Sequence, residues 1–203
     1  MVLDARDAAL RQTCPCVSMP MFGDLDPMVA GQRIVVAANG VYTQFKNAWL
    51  DCSLRIGVLA PAMSLPYGAI AESVAFEVGV IPIRLLKAFI DRARASLPNE
   101  VAAALVYHTG SGLLRLAMHV PVEAGPGHIR YRIEDLGADE LLAVDLHTHG
   151  EMPAFWSSED DRDDRGGVRV CGVFGHLSRA RPSAQFRLAL NGMFLPLPNP
   201  WEE

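Results

Sequence analysis

Between Ile81 and Pro98 the chain repeats apolar residues at intervals of three and four. Leu85, Leu86, Phe89, Ile90 and Ala93 fall on one face, and Arg84, Lys87, Asp91 and Arg94 on the other. The pattern predicts an amphipathic helix, with Pro82 at an early position and Pro98 ending it. Elsewhere the period is two, or the apolar run is continuous. "QRIVVAANGVYTQFKNAWL" reads as a hairpin turning at Asn39-Gly40, and "CSLRIGVLA" as a third strand, so residues 31–60 form a small β-meander. After Glu100, "VAAALVYH", "LLRLAMHVPV", "HIRYRI", "ELLAVDLHTH" and "VRVCGVFGHL" read as strands. The glycines of the last suggest close backbone approach. "AQFRLALNGMFLPLP" reads as a closing hairpin turning at Asn191-Gly192. Alternation puts His119 and His128 on solvent faces. Residues 1–30 show no periodicity and read as irregular, and "PAMSLPYGAIAESVAFEVG" as loop with a short helical turn. One helix followed by a run of strands indicates an α/β layered sheet. A boundary near residue 78 separates a β-rich N-terminal region, 1–78, from a second domain, 79–203.

Composition adds mainly exclusions. Half of the 203 residues are hydrophobic, enough for a proper core. The net charge of −5 argues against binding nucleic acid or an anionic membrane, which needs a basic surface. The charge is uneven: acids concentrate between Asp135 and Asp164, and Arg165 to Arg187 is basic. The opening residues lack the apolar core of a secretory signal, and no apolar run reaches the ~20 residues of a membrane span. Cys14, Cys16, Cys52 and Cys171 show no paired metal or redox spacing and read as free thiols in a reducing compartment. The expectation is a soluble, cytoplasmic protein.

The chemistry concentrates in "DLHTHGEMPAFWSSEDD", Asp145 to Asp161. Side chains two apart on a strand share a face, so His147 and His149 aim at one point. Ser157-Ser158-Glu159-Asp160 reads as a helix start, a serine N-cap with acids in the first turn. The Ser157 hydroxyl and the Asp160 carboxylate then lie near one face, three residues apart. Two imidazoles, one carboxylate and a water make a tetrahedral zinc site with one open position. Such a site acidifies the water and polarises a carbonyl. Asp145 shares the His147 face and is a candidate hydrogen-bond partner for a ligand histidine. Asp161, Asp163 and Asp164 read as the solvated side of the helix. Phe155 and Trp156 either wall the site or pack the loop, and Trp49 and Trp201 read as packing residues. His108 and His176 read as a strand end and a structural residue, though each lies where it can approach the site.

His147-Thr-His149-Gly, then six residues, then Ser157-Ser-Glu-Asp160, resembles the signature of the JAMM (MPN+) metalloproteases. That family carries a glutamate just after its first long helix, and Glu100 in "LPNEVAAALVYHTG" takes that place. Glu72 and Glu77 precede the helix and do not fit the order. Two positions depart from the pattern: Gly150 stands where proline is usual, and Ala103 where glycine is common. Ser158 with Asp161 repeats the spacing one residue late, but only Ser157 with Asp160 fits the count from His149.

The resemblance covers roughly residues 80–200 and implies a JAMM/MPN-type sheet flanked by helices. It implies one Zn2+ per chain held by His147, His149 and Asp160, with Glu100 shuttling a proton and Ser157 donating to the oxyanion. It further implies cleavage of an amide, typically the isopeptide or C-terminal peptide bond of a ubiquitin-like protein or peptide. "GQRIVVAANGVY" ahead of such a domain resembles the protein A component of bacterial PRTRC systems, whose clusters also encode E1/ThiF-like proteins. Two other readings compete. Domains of this fold that have lost the metal residues serve as scaffolds, and such a non-catalytic role is the first alternative. "DLHTHG" also resembles the opening of PHP-type and amidohydrolase-type phosphoesterases. Those need several later ligands, and only His176 follows among histidines.

Overall fold

The computed structural model describes residues 4–133 and 135–201. Met1 to Leu3, the first of the residues read as irregular, lie outside them. The chain divides into two compact units, Met1–Glu77 and Val78–Glu203.

The first unit is a five-stranded sheet. β1 (Cys16–Ser18) runs parallel to β2 (Gly31–Ala37), and β3 (Gly40–Lys46), β4 (Leu50–Gly57) and β5 (Ser73–Phe76) follow antiparallel in sequence order. The predicted meander is present; its first turn is Ala38-Asn39, one residue before the Asn39-Gly40 pair that the sequence suggests, and Gly40 opens β3 opposite Ala37. Val35, Ala37 and Tyr42 are buried on one face, with Val17, Met19, Leu25 and Ile70 packed against them. Trp49 is buried and stacks on Phe76 at 6.3 Å between ring centroids. Two expectations fail here. The N-terminal stretch read as irregular holds a helix, α1 (Ala5–Thr13), and strand β1. Helix α1 buries no side chain, so it carries no apolar stripe to reveal it. Its one signal is Asp4, whose carboxylate accepts from the Arg6 amide at 2.8 Å. The expected helical turn before Gly79 is instead β5, an edge strand too short to show a period.

The second unit opens with α2 (Ile83–Ser96), whose Leu86, Phe89, Ile90 and Ala93 are buried as their spacing predicts. Pro82 is its N-cap rather than an interior residue. A six-stranded sheet follows, in the order β13 (Met193–Leu197), β12 (Ser183–Leu190), β11 (Val168–Gly175), β10 (Glu140–Thr148), β6 (Ala102–His108), β7 (Leu113–Met118). β8 (Val120–Gly125) and β9 (His128–Arg132) form a separate two-stranded ribbon. Phe89 of α2 meets Phe174 of β11 at 5.7 Å, which seats the helix on one face of the sheet.

Only β10 and β11 pair in parallel within this sheet. Parallel neighbours cannot be joined by a tight turn, so the chain between them makes an excursion. That excursion carries α3 (Ser158–Asp164). The closing hairpin turns where expected, with Asn191 and Gly192 both at positive φ, 48° and 93°. No helix among the described residues is long and apolar enough to cross a membrane. The four cysteines are free thiols.

Candidate metal centre and cleft

β10 ends at Thr148, and the chain then turns through Gly150. Gly150 has φ +54°, a left-handed conformation. Proline is locked near −65° and cannot adopt it. The departure from the usual proline is therefore matched by a different local backbone, which the Leu177 amide fixes by donating to the Gly150 carbonyl at 3.1 Å. Further along, the backbone of Met152–Ala154 lies directly against Gly175 of β11, where a Cβ would collide with it. This is the close approach that the glycines of β11 suggest. It lays the loop over the strand ends and delivers Ser157 to the start of α3.

Ser157 caps α3 through a reciprocal pair of bonds. Its hydroxyl accepts from the Asp160 amide at 3.2 Å, and its own amide donates to Asp160 Oδ2 at 2.7 Å. The capping box orients the Asp160 carboxylate. Its Oδ1 stands 3.1 Å from His147 Nε2, and its Oδ2 stands 3.8 Å from His149 Nε2. The two Nε2 atoms are 3.2 Å apart. A tetrahedral ion with ligands at ~2.0–2.2 Å would hold its donor atoms ~3.3–3.6 Å from one another. The two separations from His147 fall just short of that span, and one donor atom from each of the three residues lies within 4.8 Å of the others, so the donor types and their grouping fit a zinc ion.

The surroundings shift two of the three donors. Burial alone would push Asp160 up, but His147 and the Ser157 hydroxyl and amide outweigh it and hold the carboxyl well below the usual range. Burial, aided by the His147 charge, lowers His149 against the pull of Asp160 and keeps its ring neutral, the form that ligates.

Glu100 lies two residues before β6, anchored by its amide to the Gly125 carbonyl at 3.0 Å. Its side chain is buried, with Oε1 unpartnered. Burial pushes its pKa up to about 7, with His147 and His128 pulling it down and Asp160 and Glu159 pushing it up. Glu100, His147, His149, Ser157 and Asp160 all line one cleft of about 240 Å³. Phe155 lines it too and packs on His149 at 4.4 Å, while Trp156 sits 6.1 Å from His147.

Residues 82–189 match the family described as prokaryotic homologs of the JAB domain. The chain belongs to that family. The JAB-type domain thus takes in α2, the cleft and the strands that carry it, and residues 4–77 match a domain family of unknown function, DUF2016. No curated protein matches the chain. Among solved structures, one of a protein from Desulfitobacterium hafniense is similar at 16% identity and a TM-score of 0.43, covering 56% of this chain and 86% of that one.

The JAB-type domain also departs from expectation. His119, read as a solvent-face residue, is buried, because the β8–β9 ribbon folds back over it. Its Nε2 lies 3.3 Å from Asp145 Oδ1, and its ring stacks on Tyr131 at 4.4 Å. Asp145 makes this contact rather than one with a ligand histidine, and it also accepts from the Tyr131 hydroxyl at 3.2 Å. Asp164, read as solvated, is buried and accepts from Arg187 at 2.7 Å and Arg169 at 3.0 Å. Asp161 pairs with Arg187 at 2.6 Å, and it is Asp160, not Asp161, that joins the two histidines. His128 is exposed as expected, yet it lines the cleft. His108 accepts from the Ser111 amide at a strand end, and His176 lines a hollow with Arg179 and Arg181 instead of the cleft. Glu72 accepts from the Arg55 amide within the first unit. Asp145 lines the cleft on the face that strand parity gives it, and Tyr131 and Arg169 line it too, a role their sequence context did not announce.

Proposed function

We propose that this chain is a zinc-dependent amide hydrolase, with one Zn2+ held by His147, His149 and Asp160. The observation that carries the reading is the placement of the buried, unpartnered Glu100 carboxylate in the same cleft as a three-donor cluster of zinc-like spacing. Burial that pushes this acid toward neutrality, in one cleft with His147 and His128, suits it to move a proton. When bound, the ion would supply Lewis acidity, polarising an amide carbonyl and acidifying water.

The chain's own residues do the rest. The Glu100 carboxylate, which lines the cleft, would accept a proton from attacking water and deliver it to the departing amine nitrogen. The Ser157 oxygen accepts from the Asp160 amide, and its hydroxyl hydrogen would turn from the Asp160 carboxylate to donate to the oxyanion. Asp160 and His149 stay in the ligating protonation state across neutral pH. Phe155 walls the cleft against bulk water.

The substrate of this reading is the isopeptide or C-terminal peptide bond of a ubiquitin-like protein or peptide, in a cytoplasmic, PRTRC-type setting with E1/ThiF-like partners. The test is metal analysis of the purified chain together with incubation on ubiquitin-like fusions. About one zinc per chain and cleavage lost in Glu100→Gln support the reading. A chain free of zinc, or cleavage indifferent to Glu100, sinks it and favours the scaffold.

A further inference from the structure

Helix α3 is only seven residues long. A helix that short is not stable on its own, because nucleation costs more than its few hydrogen bonds return. Yet it must hold Asp160 against the two histidines. The capping box fixes Asp160 relative to Ser157, but not the helix relative to the sheet.

Arg187, on β12, supplies that connection. It is buried, and its guanidinium lies 3.9 Å from the Trp156 ring centroid on one side and 4.0 Å from that of Phe194 on the other. Its Nη1 donates to Asp161 at 2.6 Å, and its Nη2 and Nε reach Asp164 Oδ2 at 2.7 and 3.2 Å. It therefore grips the residue before the cap, the residue after the ligand, and the last residue of the helix. Arg169 holds the other oxygen of Asp164 at 3.0 Å. Planar, forked donors suit this combination of stacking and two-carboxylate pairing, and an ammonium does not reproduce it.

We infer that Arg187 is the positioning residue of the metal centre: it clamps Trp156, Asp161 and Asp164 so that Ser157 and Asp160 keep their place against His147 and His149. The inference rests on the zinc reading above. The test uses the full chain, with zinc affinity measured by competition with a chromophoric chelator and the absorption spectrum of the Co2+-substituted protein as a second readout. Arg187→Met, which keeps the apolar stem, weakens zinc by about 10-fold or more, the usual effect of losing a residue that orients a ligand. It also shifts the Co2+ ligand-field bands. Arg187→Lys recovers part of the affinity. Asp161→Asn removes only the exposed partner and weakens zinc by about 3-fold, since the Asp164 pairing survives. A folded Arg187→Met protein with zinc affinity within about twofold of wild type and an unchanged Co2+ spectrum would overturn the inference, whatever its melting temperature. Should that variant fail to fold, Asp161→Asn decides, and unchanged affinity there overturns it as well. Wild-type protein that binds no zinc defeats the metal reading itself, an outcome separable from the others because it needs no variant.

Discussion

The two units bury polar groups in opposite ways. In the first, the buried polar side chains among the described residues are hydroxyls, Thr43 and Ser53. In the second they include Glu100, His119, Asp145, His149, Asp164 and Arg187. Burying an ionisable group costs several kcal/mol unless it is paired, and a fold retains such groups only where something offsets the cost. Asp164 and Arg187 offset each other. Glu100 has no such partner, and the mismatch falls inside the cleft. The contrast teaches where to look: the first unit is a packing solution, and the second carries unbalanced charge that chemistry can use.

The comparison breaks most sharply at Glu100. Glu100→Gln keeps the volume but cannot take a proton, and the hydrolysis rate should fall about 10²- to 10⁴-fold with zinc content unchanged. Matching loss of metal would show that Glu100 supports the site rather than acts in it. Trp49→Ala provides the opposite result in the first unit. It removes a fully buried ring and should cost about 3–5 kcal/mol in a denaturant melt while leaving zinc affinity unaltered in the folded protein.

Ser157→Ala combines both effects. It should slow turnover about 10²-fold through loss of the oxyanion donor and cost about 1 kcal/mol through loss of the cap. A variant losing stability alone would confine Ser157 to capping. The smallest effect is thermodynamic. Burial raises the pKa of Glu100 from an ordinary 4.5 to about 7, so the folded state holds its proton more tightly. Its contribution to stability therefore declines as pH rises from about 4.5 to about 7, then stays level. Glu100→Gln should raise the stability of metal-free protein at pH 8 by on the order of 2 kcal/mol and barely change it at pH 5. Equal gains at both pH values would locate the effect in packing instead of charge.

Much of this was legible beforehand, for local reasons. The α2 stripe and the turn at Asn191-Gly192 depend on spacing and on residues that tolerate positive φ, and the first hairpin was placed to within one residue of its turn. The Ser157 cap depends on a bond between residues three apart. Strand parity brought His147 and His149 together, and the cap placed Asp160 beside them. Where local signal was absent, the reading failed. Helix α1 buries nothing, and β5 has four residues, too few to display alternation.

His119 and Asp164 mark the boundary between the two kinds of information. Each sits where alternation or helix composition assigns it to water. Each is buried because a distant segment covers it: the ribbon bearing Tyr131 for one, Arg187 of β12 for the other. Sequence determined the donor types, their spacing and the local turns that aim them, since those follow from bonds spanning a few residues. Tertiary structure alone decided which acids would pair with arginine and which would stay buried without a partner. Burial and charge pairing depend on chain segments that meet only when the sheet is assembled.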